Sequence, residues 1–549
     1  MKKYVSFLIC YVVLISSFLF PMQKAYGQEN FEGTWEGVFM NDFDVLINFE
    51  GNNQGNIKMM ASGNIIQNDK ITNIKLTNNE FTFYIPDKET PFIGSFNDMI
   101  TELTGEFIFP DGKKHAIHLK RKIDATDASE EFIATKENKF KGQDVLNDLS
   151  FLYSSLKEQH PQLHAFTSKD SMELILERLK GELKEEVTLE KSYLILSQLT
   201  DAVKCSHTGI RLPYRYQASV NEFGHYFPFR LYFKNEKAFF ISGNFENKDL
   251  ILPGNEIVSI NNLSVKGIIE ELFFLIPSEG CNVTTKYHVL NKRFNALFYF
   301  LDDSEKFNIK YRKGASVDSI TVPSCRLENI QTLYGEIEND IPISFHYTDN
   351  MNIGLLKVAT FAMPDMDHYF KQLDSIFNDL KTSNAQNLIL DLRDNSGGHP
   401  IFAAQLFSYL TENDFIYFKR NEEVKEFEPL YNLMQPNKDN FKGTIYVLVN
   451  GGCLSTTGHL ISLLKFNTNA IFIGEEPGST FRCNDFSMQL TLPNTGIELN
   501  VPRVTFETSV TGFALCHPFP VDYKVNYSLI KIVNQEDEYV EMARSIIDK

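Results

Sequence analysis

The sequence predicts a multidomain chain: an N-terminal antiparallel β-barrel, a helical segment, an α+β module and a C-terminal α/β domain. Three observations carry that prediction. The chain has 549 residues, too many for one ordinary domain. Apolar residues alternate with period two near the N-terminus and recur at helical spacing after it. Residues 443–474, GTIYVLVNGGCLSTTGHLISLLKFNTNAIFIG, give strand, tight turn, helix and strand, the βαβ unit of a parallel sheet.

Residues 1–27 have the pattern of a secretory signal: Lys2 and Lys3, an apolar run over 5–20, and Ala25-Tyr26-Gly27 as a small-x-small cleavage site. An exported protein at a bacterial periplasm or cell surface is expected, with no membrane span once the signal is cut. Removing that segment takes away three lysines and no acid, so the net charge goes from −18 to −21. So acidic a chain is no partner for nucleic acid. Hydrophobic content of 43% against 23% charged residues is that of a folded protein.

In residues 28–122 alternating runs fall at 45–49, 71–76, 81–85, 101–109 and 115–119, separated by turn residues at 51–55 and 110–112. Such a meander closes into a small barrel. Residues 123–141 are polar and charged, a linker. In the helical segment, 142–215, Val145, Leu149, Leu152 and Leu156 share one face and Pro161 ends the helix, with further helices at 171–183 and 189–203. His160 and His164 flank that proline as loop residues, since a metal-sharing pair four apart needs a continuous helix. The third helix runs into Lys204-Cys-Ser-His-Thr-Gly209. The module, 216–335, has strands at 228–233, 238–242, 256–260 and 307–311 and a helix at 265–274. In the last domain, 336–549, an apolar strand at 388–392 runs into Arg393-Asp-Asn-Ser-Gly-Gly398. These glycines free backbone N–H groups at a strand's carboxyl end, where open α/β sheets bind ligands. A hairpin at 488–501 and a helix at 537–547 complete the domain.

Ser455 stands at the turn between the strand 444–449 and a helix beginning at Thr456, where the first helical N–H groups favour negative charge on a bound carbonyl oxygen. The plain alternative is an N-cap. Six cysteines follow the signal, Cys205, Cys281, Cys325, Cys453, Cys483 and Cys516. One or two bridges are expected, with Cys483–Cys516 singled out. No CxxC or CxxH spacing suggests a metal, and no cofactor is expected.

Several stretches resemble known families. The GTWEG opening at 33–37 and Gly105-Glu-Phe107 resemble small lipocalin-like barrels. Leu252-Pro-Gly-Asn-Glu-Ile-Val-Ser-Ile-Asn-Asn262, followed by a helix, resembles the PDZ module, which captures an extended peptide by strand addition. SHTG at 206–209, LILDLRDNSGG at 388–398 and the Ser455 turn, in that order, resemble the tail-specific or C-terminal processing family of serine peptidases. The resemblance implies a serine endopeptidase acting on peptides or unfolded protein segments. Ser455 would be the nucleophile, His207 the general base and Ser206 the residue orienting its ring, as in the tricorn-core branch. The oxyanion would meet N–H groups of Gly397 or Gly398 and of Thr456. Members with a lysine base carry it about twenty-five residues after the serine. Residues 478–482 hold no lysine, and Lys465 is the other lysine to weigh. No acid stands at 512–522 where the tricorn branch has its glutamate, so the acid stays open among Glu475, Glu476, Glu507 and Asp485. A catalytically inactive binding protein on the same scaffold, its phenylalanines lining an apolar cleft, is the second reading. Oligomeric state, homo-oligomer included, is left open.

Overall fold

The computed structural model describes residues 33–122 and 139–549, apart from short segments within those ranges. The signal segment 1–27 and the linker residues 123–138 lie outside the described residues. Two compact units result, the first from N-terminal residues and the second from residues 139–549 together with Val38–Val45 and Lys58–Asn68.

Residues 33–122 form a closed barrel of eight antiparallel strands in sequence order, sealed where Gly33–Phe39 pairs with Lys114–Lys122. Three of its strands, Gly33–Phe39, Gln54–Ala61 and Thr90–Phe96, add to the five alternating runs. Gly55 belongs to a strand and not to the expected turn, and its lack of a side chain allows close approach to the Asn48 carbonyl and Ile71. Trp35, Phe49, Phe81, Phe83, Phe92 and Phe107 fill the interior, mostly edge to face.

The second unit begins with helices Gly142–Gln159, Lys169–Glu182 and Leu189–Ala202, the latter two capped by Ser168 and Thr188. Their apolar faces meet at Leu149, Leu152, Leu156, Leu196 and Leu199. Within 216–335 an antiparallel sheet runs in the order Phe229–Lys234, Lys237–Gly243, Glu256–Ile260, Lys306–Lys313, Ser316–Pro323, and it packs on helices Val265–Phe273 and Thr284–Phe298. Phe227, Phe229, Phe294, Phe298 and Phe307 cluster there. The phenylalanines of these two clusters build cores.

The last domain is a six-stranded sheet in the order Ile343–Thr348, Ile353–Val358, Asn387–Asp391, Thr444–Val449, Ile471–Gly474, Tyr523–Lys524. Only the first pair is antiparallel. Asn387–Asp391 and Thr444–Val449 are neighbours, so the two glycine-bearing loops that follow them emerge side by side. Cys516 bonds to Cys281 and not to Cys483, which is a free, buried thiol. The expected pairing fails because Cys483 lies inside a strand, Arg482–Asp485, whose side chain points into the core.

Candidate active site

The Asn387–Asp391 and Thr444–Val449 loops lock into one another. Asn450 Oδ1 accepts from the Asp394 and Gly452 N–H groups at 3.1 and 3.0 Å, and its amide donates to Asp394 Oδ1. The Leu454 N–H donates to the Asn395 carbonyl, and Cys453 Sγ to that of Leu392. Asn395 in turn takes the Gly397 N–H at 2.9 Å and reaches the Val358 carbonyl.

Ser455, held between them, has φ 51° and ψ −123°. An L-residue avoids that conformation, which recurs at strained strand-to-helix turns that present a nucleophile. Its hydroxyl caps no helical N–H, so the plain N-cap reading does not describe it. Its own N–H donates to Ser479 Oγ at 2.9 Å. Gly397, at φ 105°, makes the space: a Cβ there would stand 2.7 Å from Ser455 Cβ and 3.0 Å from the Thr456 nitrogen. The Gly397 N–H is committed to Asn395. Those of Gly398 and Thr456 donate to no protein acceptor among the described residues, and the Thr456 hydroxyl fixes the Gly398 carbonyl. Two amide donors thus lie beside the serine, with Gly398 and not Gly397 as the first of them.

Two side chains below the serine were given no part in the site by the sequence, where Cys483 was expected in a disulfide. The Cys483 thiol is near enough to Ser455 for the serine side chain to lower its pKa against burial, and it lies 3.4 Å from His459 Nε2. His459, one turn along the Ser455 helix, is buried, and burial with the nearby charge of His207 holds its pKa down to about 3. Burial pushes the Cys483 thiol well up.

His207 arrives on a different layer. Gly209–Arg211 pairs with Glu498–Val501, and Asn500 grips the His207 carbonyl at 2.6 Å. Asp148, buried in the first helix, ties the turn of that hairpin through the N–H groups and side chains of Asn494 and Thr495. Ser206 Oγ lies 3.2 Å from His207 Nδ1 and 3.1 Å from Glu279 Oε2, which also accepts the Ser206 N–H. A hydroxyl has one proton. Given to the carboxylate, it leaves the oxygen to accept from Nδ1–H, and Nε2 becomes the basic nitrogen. Glu279 is buried in the Ser278–Gly280 loop before helix Thr284–Phe298, and burial raises its pKa against the lowering effects of Ser206, His207 and Arg482.

Among the described residues His207 makes no hydrogen bond to Ser455. Its Nε2 faces Asp485 Oδ2 at 3.4 Å. Cys483 and Asp485 sit two apart on one strand and share a face, so the serine at the first and the imidazole at the second are neighbours. Of the other carboxylates, Glu507 is paired with Lys419 and Arg482, Glu475 lies toward Tyr539 and His288, and Glu476 is exposed. Lys465, near the far end of the serine helix, stacks on Phe472 and faces Asp522. His160 accepts from the Gln162 N–H and His164 meets the Thr167 carbonyl, both in the loop.

Glu279 is the residue sequence reasoning missed outright: it stands 73 positions after Ser206, in a loop with no pattern of its own. The loop belongs to a strap across the site. Asn282 donates to the Pro477 carbonyl and Thr285 to that of Gly451, while His288 and Lys292 reach Asp394 at 2.9 and 2.8 Å.

Residues 352–509 match the model of Peptidase family S41. Among solved structures, mature CPAF complexed with lactacystin has a TM-score of 0.53 and 14% identity over 74% of this chain and 97% of that one. Mature CPAF alone gives the same TM-score and identity, with 96% of that chain covered. At that identity the likeness is one of fold. No curated protein matches the chain.

Proposed function

We infer that this chain, a serine-type peptidase whose residues 352–509 belong to peptidase family S41, is an exported endopeptidase that cleaves peptides or unfolded segments through an acyl-enzyme on Ser455. The observation that carries the reading is a strained serine whose hydroxyl caps nothing, set beside the free amides of Gly398 and Thr456. Attack on a peptide carbonyl makes an oxyanion that those two N–H groups accept. His207 Nε2 takes the Ser455 proton as the O–C bond forms and returns it to the departing amine. Water then attacks the ester, giving its proton to the same nitrogen, and the acid leaves with Ser455 restored. Ser206 and Glu279 are positioning residues: they fix the Nδ1–H tautomer and stabilise the imidazolium. For this cycle Nε2 must turn from Asp485 to Ser455. The 216–335 module is proposed to hold extended substrate by strand addition at the exposed sheet edge Ser316–Pro323, the other edge strand, Phe229–Lys234, being occupied by the side chains of Asn291 and Asn295. The test is hydrolysis of an unfolded protein such as casein. Wild type is expected to cleave it, with Ser455→Ala and His207→Ala each slower by about 10³-fold or more. Activity that survives Ser455→Ala would end the proposal.

A further inference from the structure

We infer, on the Ser455–His207 reading, that Asp485 selects substrate: it holds the working nitrogen of His207 in the unliganded protein and yields it to a cationic group on the leaving-group side of the scissile bond. Asp485 shares a strand face with Cys483, beside the Ser455 hydroxyl, and its side chain is 41% exposed. Its Oδ1 accepts from Ser487 Oγ at 3.3 Å and its Oδ2 faces His207. Among the described residues no lysine or arginine pairs with it. Arg482, on the same strand, is committed to Glu507, and Arg503 turns to the Phe486 carbonyl and ring. The site therefore contains a half-exposed carboxylate without a permanent cation.

That carboxylate competes with catalysis. Nδ1–H is already engaged by Ser206, so Asp485 accepts from Nε2 only when that nitrogen also carries a proton, and a protonated nitrogen is no base. A lysine, an arginine or a free amine at Asp485 makes a charge-assisted pair that stays charged at neutral pH and displaces the imidazolium. It takes over the carboxylate, so the imidazolium loses its stabilising charge, Nε2 releases its proton to water and is free for the serine. No bond other than that N–H changes in this exchange. The side follows from the chemistry: the imidazole that returns a proton to the leaving amine lies on that side, and so does the carboxylate at the same nitrogen. The preferred substrate is thus a peptide with lysine or arginine directly after the cleaved bond.

The test uses the full chain and internally quenched peptides identical except for lysine or norleucine at that position, with cleavage sites read by mass spectrometry. Wild type is expected to favour the lysyl peptide about tenfold or more in kcat/KM, the range of one hydrogen bond to a charged group. Asp485→Asn should bring the two within about twofold, in part by cleaving the norleucyl peptide faster, and Asp485→Glu, which keeps the carboxylate, should retain the preference. An unchanged ratio in Asp485→Asn, or no lysine preference in wild type, overturns the inference while leaving Ser455 in place. Cleavage by Ser455→Ala instead overturns the parent reading, and this inference with it.

Discussion

Ser455 holds its backbone conformation because its neighbours leave it no other, and the tightest of them is Gly397. A methyl group there would press on the serine Cβ and the Thr456 nitrogen, and φ 105° disfavours any side chain. Gly397→Ala is expected to fold and to lose about 100-fold or more in kcat/KM, since displacing one oxyanion donor costs that much. Wild-type turnover by the variant would mean the turn tolerates movement. Glu279 gives a trade-off. Its carboxyl pKa is raised in the fold, so the folded state binds the proton more tightly and stability falls as pH rises above the unfolded value. Glu279→Gln should flatten that decline in urea midpoints while slowing turnover, and a variant that loses both stability and activity equally would reduce Glu279 to packing. For His459 the sign is opposite. Held to about 3 against about 6.5 unfolded, it contributes fully above pH 6.5 and costs roughly 2 kcal/mol by pH 5. Urea titrations at pH 7 and 5 should show less acid sensitivity in His459→Gln than in wild type.

The hairpin Met488–Thr491 with Glu498–Val501 works as the mount of His207, and Asp148 is its anchor. Asp148→Ala strands four donors in a buried turn, which should lower stability by about 3 kcal/mol or more. It should also lower kcat at fixed temperature. Thermal unfolding and initial rates check both, and a destabilised but fully active variant would show that the mount is not needed. These elements differ in how far the sequence announced them. The Ser455 turn was legible because its parts are local: a β-branched strand, two glycines, then leucines at helical spacing. The hairpin and the Asn387–Asp391 strand were legible for the same reason, to within a residue or two. Helix Thr284–Phe298 was not foreseen, since its lysines, asparagines and aromatics follow no clean period and its backbone kinks at Arg293. With it went the strap and Glu279, whose role depends on a contact 73 residues away. The oxyanion donors were named only as far as the choice between two glycines, because which amide is free depends on where the Asn395 side chain turns.

At the scale of the molecule, the Cys281–Cys516 bond joins that strap to the loop before Val521, closing 235 residues of chain two positions from Glu279. A loop that long contributes about 3–5 kcal/mol when bridged, and such bonds persist in exported proteins. Cys281→Ser with Cys516→Ser should lower the unfolding midpoint and, by loosening Glu279, slow turnover more than the stability loss alone explains at a temperature where the variant is folded. Equal turnover would confine the bond to stability. The claim beneath all of these is that the Ser455 hydroxyl, deprotonated by His207, attacks the substrate. Its most direct test is to treat the folded chain with a fluorophosphonate, locate the adduct by peptide mass mapping and compare labelling rates. The account predicts a single adduct on Ser455, formed about 10³-fold or more slowly in His207→Ala. An adduct on another residue, or one on Ser455 that forms as fast without the imidazole, would contradict it.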